Sequence, residues 1–96
     1  MMTTWKEVRE ELPLSAEDEK VIAMEKALIK MLVSIRKKQG LSQTELADKC
    51  GVKQPALARM EGQTHSPQVS SLLRILMPMG YTLQIVPLKE SMKQNN

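Results

Sequence analysis

Two side chains of this sequence could take part in nucleophilic or metal chemistry, Cys50 and His65, and each is the only residue of its type. A single cysteine excludes an intrachain disulfide and any zinc site with two or more cysteine ligands. No paired carboxylates stand at a recognisable site, so nothing supplies a general base beside a nucleophile. We therefore expect no enzyme, metal, cofactor or small-molecule substrate, and we interpret Cys50 as a core residue rather than a redox group.

The composition favours an all-α domain. Of 96 residues, 42% are hydrophobic, but there is one Trp, one Tyr and no Phe, while Met occurs eight times. Small β-sandwiches and barrels depend on β-branched and aromatic side chains, and the aromatic ones are scarce here. The sequence has no run of 18 apolar residues and no basic-then-apolar start, which favours a soluble, cytoplasmic protein without a membrane partner.

The charges divide unevenly along the chain. Residues 1–20 carry six acidic and three basic side chains, whereas residues 21–96 carry eleven basic and five acidic ones. A basic body with an acidic arm suggests a polyanion as one partner and a basic molecule as another. A solvated helix surface would explain the individual charges equally well.

Start signals for helices recur along the chain. Capping-box patterns begin at Thr4, Ser15 and Ser42, and Ser66 precedes a proline that suits the first helical position. Together with the apolar spacing, these signals predict five helices, over residues 4–11, 16–38, 43–49, 54–61 and 68–77.

The longest of these helices has two apolar stripes. We predict the main one from side chains at helical spacing, Val21, Met24, Leu28, Met31 with Leu32, and Ile35, and a second face from Ile22, Ile29 and Val33. The basic run 36–38 near its end either caps the helix or attracts a polyanion over distance.

Residues 43–62 have the pattern of two short helices that cross steeply. Ala47 is the small residue that such a crossing needs, and Gly51 suits the turn between the helices. The apolar side chains that would fill the joint are Leu46, Cys50, Val52, Leu57 and Met60. The pattern predicts a helix-turn-helix, a packing that also occurs in helical proteins that do not bind DNA.

After Gly80 the apolar period changes from helical to alternating. Tyr81, Leu83 and Ile85 alternate with residues 82, 84 and 86, which predicts a strand that ends at Pro87. Because we find no second strand, we expect this one to pair with the same strand of a second copy, giving a homodimer. An extended coil docked on the chain's own helices is the alternative.

Four short runs carry a resemblance to a known family: RKKQGLSQTELA at 36–47, GV at 51–52, RMEG at 59–62 and LLRIL at 72–76, with Pro67 and Gly80. Across residues 28–80 the sequence resembles the phage-repressor (Xre, Cro/C1) helix-turn-helix family. The additional N-terminal helix and the final strand, ending at residues 85–88, are similar to the HigA-type antitoxins of bacterial toxin–antitoxin pairs.

The resemblance implies that the second helix of the motif reads the major groove with its N-terminal residues. Gln54 would then pair with adenine, and Lys53 or Arg59 with guanine, although each could be a solvated surface residue. Gln43 occupies the family position that holds a DNA phosphate.

The loop after this helix supplies further candidates. Gln63 and Thr64 could touch neighbouring phosphates, whereas we interpret His65 as a loop surface residue. The sequence departs from the family where Lys53 replaces the usual capping hydroxyl. It also departs at Pro55, which can donate no hydrogen bond and leaves more of the recognition to DNA shape.

The N-terminal arm is a second candidate site. Trp5, Val8 and Leu12 share a helical face beside Glu11, and they either extend the core or anchor another protein. In the HigA-like relatives this region contacts the toxin, a small ribonuclease, so the resemblance implies a basic toxin as partner.

We thus predict an antitoxin that neutralises a toxin and represses its own operon as a dimer on an operator of two half-sites, spaced roughly 34–36 Å or a multiple. The expected parts are an arm (1–14), a DNA-binding domain (15–80), and a dimerising strand with a disordered tail (81–96). A repressor without a toxin, or a protein–protein adaptor on the same fold, are the alternatives.

Overall fold

The computed structural model describes residues 15–63 and 65–88, which form four α-helices and one short 3-10 helix. Helix α1 spans Ala16–Lys38, α2 spans Gln43–Cys50, α3 spans Gln54–Glu61 and α4 spans Val69–Leu76, followed by the 3-10 helix Met77–Met79. These helices confirm four of the predicted segments. The first of the five predicted helices, over residues 4–11, lies outside the described residues, so a five-helix domain is not supported.

Two of the predicted capping boxes are present in full. The Ser15 hydroxyl accepts from the Asp18 backbone N–H while the Asp18 carboxylate accepts from the Ser15 N–H, and Ser42 and Glu45 repeat the arrangement at the start of α2. The hydrogen bond from the Ser42 backbone N–H to the Glu45 carboxylate lowers the pKa of Glu45 below its ordinary value. Both helix starts are thus fixed by local sequence.

The predicted N-cap of α4 at Ser66 was wrong. The helix begins at Val69, and its N-cap is Gln68, which makes no side-chain capping bond. The Ser66 hydroxyl instead donates to the Glu25 carboxylate on α1, so it is not available as a cap. This long-range bond replaces the local one that the sequence suggested.

The four helices enclose one apolar core. Helix α2 packs against α3 and α4, and α1 packs against α3. The core consists of nine buried side chains from all four helices and the 3-10 helix: Ile29, Leu32, Leu46, Ala47, Leu57, Leu72, Ile75, Leu76 and Met79.

The face of α1 that lies in the core includes only part of the predicted main stripe: Leu28 and Ile35 pack against the core. Ile29 and Leu32 are almost fully buried, whereas Val21, Met24 and Met31 are each more than half exposed. The two stripes are adjacent on the helix, so apolar spacing alone could not decide between them. The described part of the chain leaves Val21, Met24 and Met31 of the main stripe uncovered.

The C-terminal strand was also not found. Residues 81–87 have no regular secondary structure, and residues 82–87 form no backbone hydrogen bond with the other described residues. A strand needs a neighbour for its N–H and C=O groups, and the part of the chain described here offers none. Leu83 packs against the core, as the docked-coil alternative expects.

No described helix is both long and apolar enough to cross a membrane.

Candidate nucleic-acid interface

A tight turn joins α2 to α3. Gly51 ends α2 in the left-handed conformation, at φ 68°, and the Val52 N–H donates to the Ala47 carbonyl at 3.0 Å. Leu46, Ala47 and Leu57 are buried at the crossing of the helices. The predicted roles of the small residue, the turn glycine and these two apolar residues are therefore confirmed.

Helix α3 presents one side to solvent along its whole length. Leu57 is its only fully buried residue, whereas Lys53, Pro55, Ala56 and Arg59 are exposed. Among the described residues, the cationic groups of Lys53 and Arg59 have no hydrogen-bond or ion-pair partner. Both charges are available to an anionic or acceptor-rich ligand.

The inner side of the same motif holds a buried ion pair between Arg36 of α1 and Glu61 of α3. The Arg36 Nε and Nη2 atoms donate to the two Glu61 carboxylate oxygens, at 2.7 Å and 2.9 Å, and its Nη1 donates to the Leu41 carbonyl at 2.7 Å. The side chains are 10% and 6% exposed. The sequence had suggested that Arg36 caps α1 or attracts a ligand over distance. Arg36 does neither, because its hydrogen bonds connect α1 to the end of α3.

Two glutamines extend this ion pair to the surface. The Gln43 Nε2 donates to the Glu61 Oε1 at 3.0 Å, and the Gln54 Nε2 donates to the Gln43 Oε1 at 2.9 Å. Gln43 is the first residue of α2 and Gln54 the first of α3, and both are half-buried. The structure thus brings together two of the predicted DNA contacts at the adjoining N-termini of the motif's helices.

The loop after α3 is turned toward α1. Gln63 has a left-handed backbone, at φ 59°, and its Nε2 lies 3.5 Å from the Lys26 carbonyl. Thr64, the other predicted loop contact, lies outside the described residues. Half-buried His65 follows it.

The predicted partner and dimer residues are placed only in part. Trp5, Val8, Glu11 and Leu12 lie outside the described residues. Tyr81 is exposed and Ile85 fully so, whereas Leu83 is half-buried against the core. The three predicted dimer residues therefore do not share one environment.

Cys50 lies at the end of α2, next to the core. Its thiol is 3.6 Å from the Ile75 carbonyl, and burial raises the pKa of the thiol above its ordinary value. The described residues contain no group of three or more His, Cys, Asp or Glu side chains that could hold a metal ion.

The sequence interpretation missed the roles of Arg36 and Glu61, although a signal for both exists. Arg36 continues the buried stripe of Ile22, Ile29 and Leu32, and Glu61 follows buried Leu57 by four residues. A charge at a core-facing position needs a partner, so two opposite charges at such positions predict a buried pair.

Three comparisons place the chain among known proteins. Residues 32–86 match the model of the helix-turn-helix family HTH_3. An uncharacterized HTH-type transcriptional regulator of Haemophilus influenzae is 39% identical over 87 residues, covering 91% of this chain and 88% of the relative.

A solved structure is similar over most of the chain. A chain of a toxin–antitoxin module from Streptococcus pneumoniae shares 40% identity at a TM-score of 0.62, covering 92% of this chain and 96% of that one. The exposed α3, the left-handed turn at Gly51 and the matched residues agree with the resemblance found in the sequence. The chain belongs to the Xre-like helix-turn-helix family of transcriptional regulators.

Proposed function

We propose that this protein is the antitoxin of a toxin–antitoxin pair, which neutralises a small ribonuclease toxin and represses its own operon by binding operator DNA. The observation that carries the DNA-binding half is the exposed side of α3, where Lys53 and Arg59 have no partner among the described residues. The similarity to a chain of a toxin–antitoxin module supports the other half.

In this proposal α3 lies in the major groove. Gln54 reads an adenine and Arg59 or Lys53 a guanine, since an amide and a guanidinium match those base edges. Gln43 has a second N–H beyond the one donated to Glu61, and this N–H reaches a phosphate together with the free N–H groups of the α2 start. Gln63 and Thr64 approach the next phosphates along the strand.

The proposed operator complex is a dimer joined through the segment after Gly80. Tyr81, Ile85 and Leu88 are exposed apolar side chains of this segment, and its backbone groups from 82 to 87 have no hydrogen-bond partner among the other described residues. A second copy related by a two-fold axis supplies both the apolar cover and the backbone partners. The two α3 helices then occupy the two half-sites of one operator.

The toxin site is proposed on the N-terminal arm and the first half of α1. The arm contributes Trp5, Val8, Glu11 and Leu12, and α1 contributes the uncovered stripe with Val21 and Met24. Three exposed acidic residues at the start of α1 lie near that stripe: Glu17, Asp18 and Glu19. An apolar stripe beside negative charge fits a basic partner with an apolar patch. A bound toxin strengthens repression by adding avidity at the operator.

Base recognition is tested by Arg59→Ala. The wild-type chain selects its preferred duplex from a random pool, and a titration then measures the affinity of each variant for it. We expect Arg59→Ala to weaken binding by about 1–3 kcal/mol. Lys30→Ala, an exposed charge on α1, removes the same charge and is the control with little effect. Equal losses for both variants would show that Arg59 contributes only charge.

The toxin site is tested by co-purification with the product of the adjacent gene, which we expect to encode a basic chain of about a hundred residues. Deletion of residues 1–13, and separately Met24→Lys, are expected to abolish capture of that protein while DNA binding persists. Met77→Lys places the same charge on a different exposed methionine and is expected to keep the partner. Capture by the truncated chain would contradict the proposed site; normal DNA binding without any captured partner would favour a stand-alone repressor.

A further inference from the structure

We propose that Glu61 is a positioning residue for base recognition: it fixes the direction of the hydrogen bonds through Gln43, so that Gln54 presents one acceptor and one donor to the DNA. This inference rests on the proposed DNA binding and adds the residue that selects the base. The three side chains form one chain of bonds, with Gln54 donating to Gln43 at 2.9 Å and Gln43 donating to Glu61 at 3.0 Å.

The buried ion pair sets the direction of these hydrogen bonds. The guanidinium of Arg36 has only donors, and an ionised carboxylate has only acceptors. Because Arg36 donates to both oxygens of Glu61 in a site where the two side chains are 10% and 6% exposed, both oxygens act as acceptors and the carboxylate is held in place. Glu61 can therefore offer Gln43 nothing but an acceptor.

The acceptor at Glu61 also determines the orientation of the Gln43 amide. An amide has a donating nitrogen and an accepting oxygen, and the nitrogen must face Glu61. The reversed amide would place its oxygen against the carboxylate, leaving two acceptors together without a proton between them in a half-buried site. The Gln43 oxygen consequently faces Gln54, and the Gln54 nitrogen must turn toward it.

Gln54 is then left with its Oε1 and one N–H for a ligand. In the major groove adenine offers the N6 amino group as a donor and N7 as an acceptor, which these two groups match. Guanine offers two acceptors, O6 and N7, so the Gln54 oxygen would oppose O6. The fixed direction therefore favours adenine over guanine before any DNA is bound.

The test measures base discrimination, which a purely structural role would leave unchanged. The wild-type chain first selects a duplex from a random pool, and Gln54→Ala identifies the base pair whose discrimination depends on Gln54. The affinity ratio for A·T over G·C at that pair is then measured for Glu61→Gln and Gln43→Leu. An amide at position 61 can donate as well as accept, and leucine at position 43 removes the acceptor that holds Gln54.

We expect both variants to lower the A·T over G·C ratio by about fivefold or more, while discrimination at the other base pairs is retained. Gln39→Leu is the matched control, because Gln39 donates to the Met79 carbonyl and takes no part in the chain of bonds. Far-UV circular dichroism and thermal unfolding confirm that each variant is folded; Gln43→Leu leaves the ion pair intact and tests the inference if Glu61→Gln does not fold.

Three results would overturn the inference. Folded Glu61→Gln and Gln43→Leu variants that keep the wild-type ratio would show that Gln54 needs no orientation from its neighbours. A Gln43→Leu variant that weakens binding to both duplexes equally would reduce Gln43 to a phosphate contact. A Gln54→Ala variant with wild-type discrimination would remove Gln54 as a reader, whereas a wild-type chain that selects no duplex would refute the proposed function itself.

Discussion

The helix-turn-helix at residues 43–61 and the segment at residues 81–88 were both predicted from short apolar patterns, and only the first was found as predicted. Leu46, Ala47 and Leu57 of the motif are buried, and the turn at Gly51 is left-handed. Ile85 of the segment is 101% exposed, and the predicted strand is absent. The motif contains its own packing partners, whereas a strand depends on a neighbour, and residues 15–63 and 65–88 do not supply one.

The strongest test of the motif's internal packing is Glu61→Ala. This change leaves the buried Arg36 guanidinium without its carboxylate, so we expect the free energy of unfolding to fall by about 3–5 kcal/mol. Urea denaturation at neutral pH measures the loss. A double variant that replaces both residues with apolar side chains of similar size is expected to recover most of it. A loss below about 1 kcal/mol for the single change would mean that water reaches the pair.

A smaller effect is expected at the turn. Gly51 has φ 68° with no atom near the position of an added Cβ, so Gly51→Ala adds backbone strain without a steric clash. We expect a loss of about 1–2 kcal/mol in thermal or urea unfolding. Gly51→Asn is the control with the smaller loss, because asparagine tolerates this conformation better. Equal stability of the alanine variant and the wild type would show that the turn can relax.

The smallest effect on the fold is expected for Ile85→Pro. The side chain is fully exposed, so the unfolding free energy of the dilute monomer should change by less than about 0.5 kcal/mol. The dimer should nevertheless weaken, because proline removes a backbone donor from the proposed pairing. Light scattering across a concentration series measures the dimer fraction. If the dimer fraction is the same in both proteins, the dimer contact lies elsewhere. The segment at residues 81–88 would then not differ from the motif in depending on a second copy.

Local signals in the sequence predicted most of the fold. The boxes at Ser15 and Ser42 are complete within four residues, and they fix where α1 and α2 begin. Where the outcome depended on distant residues, the prediction was wrong. Ser66 was predicted as a cap, but it bonds to Glu25, which is 41 residues away in the sequence.

At the candidate site, too, local patterns were predicted and contacts between distant residues were not. The family pattern identified Gln43 and Gln54 separately, but it did not show that they bond to each other and to Glu61. Three exposed residues of α1, Val21, Met24 and Met31, were predicted in the main core stripe, because apolar spacing gives the width of a face and not which part of it meets the core. Pairings across the fold and the choice between adjacent faces require the tertiary structure.

The bond between Ser66 and Glu25 joins two surfaces for which we propose different ligands. Ser66 belongs to the loop that follows α3, and Glu25 adjoins Met24 on the uncovered stripe of α1. The Gln63 amide approaches the Lys26 carbonyl in the same place, so the loop and the helix share two contacts. A protein that rearranges this part of α1 also moves the loop. By thermodynamic reciprocity, the factor by which that protein changes the affinity for DNA equals the factor by which DNA changes the affinity for that protein.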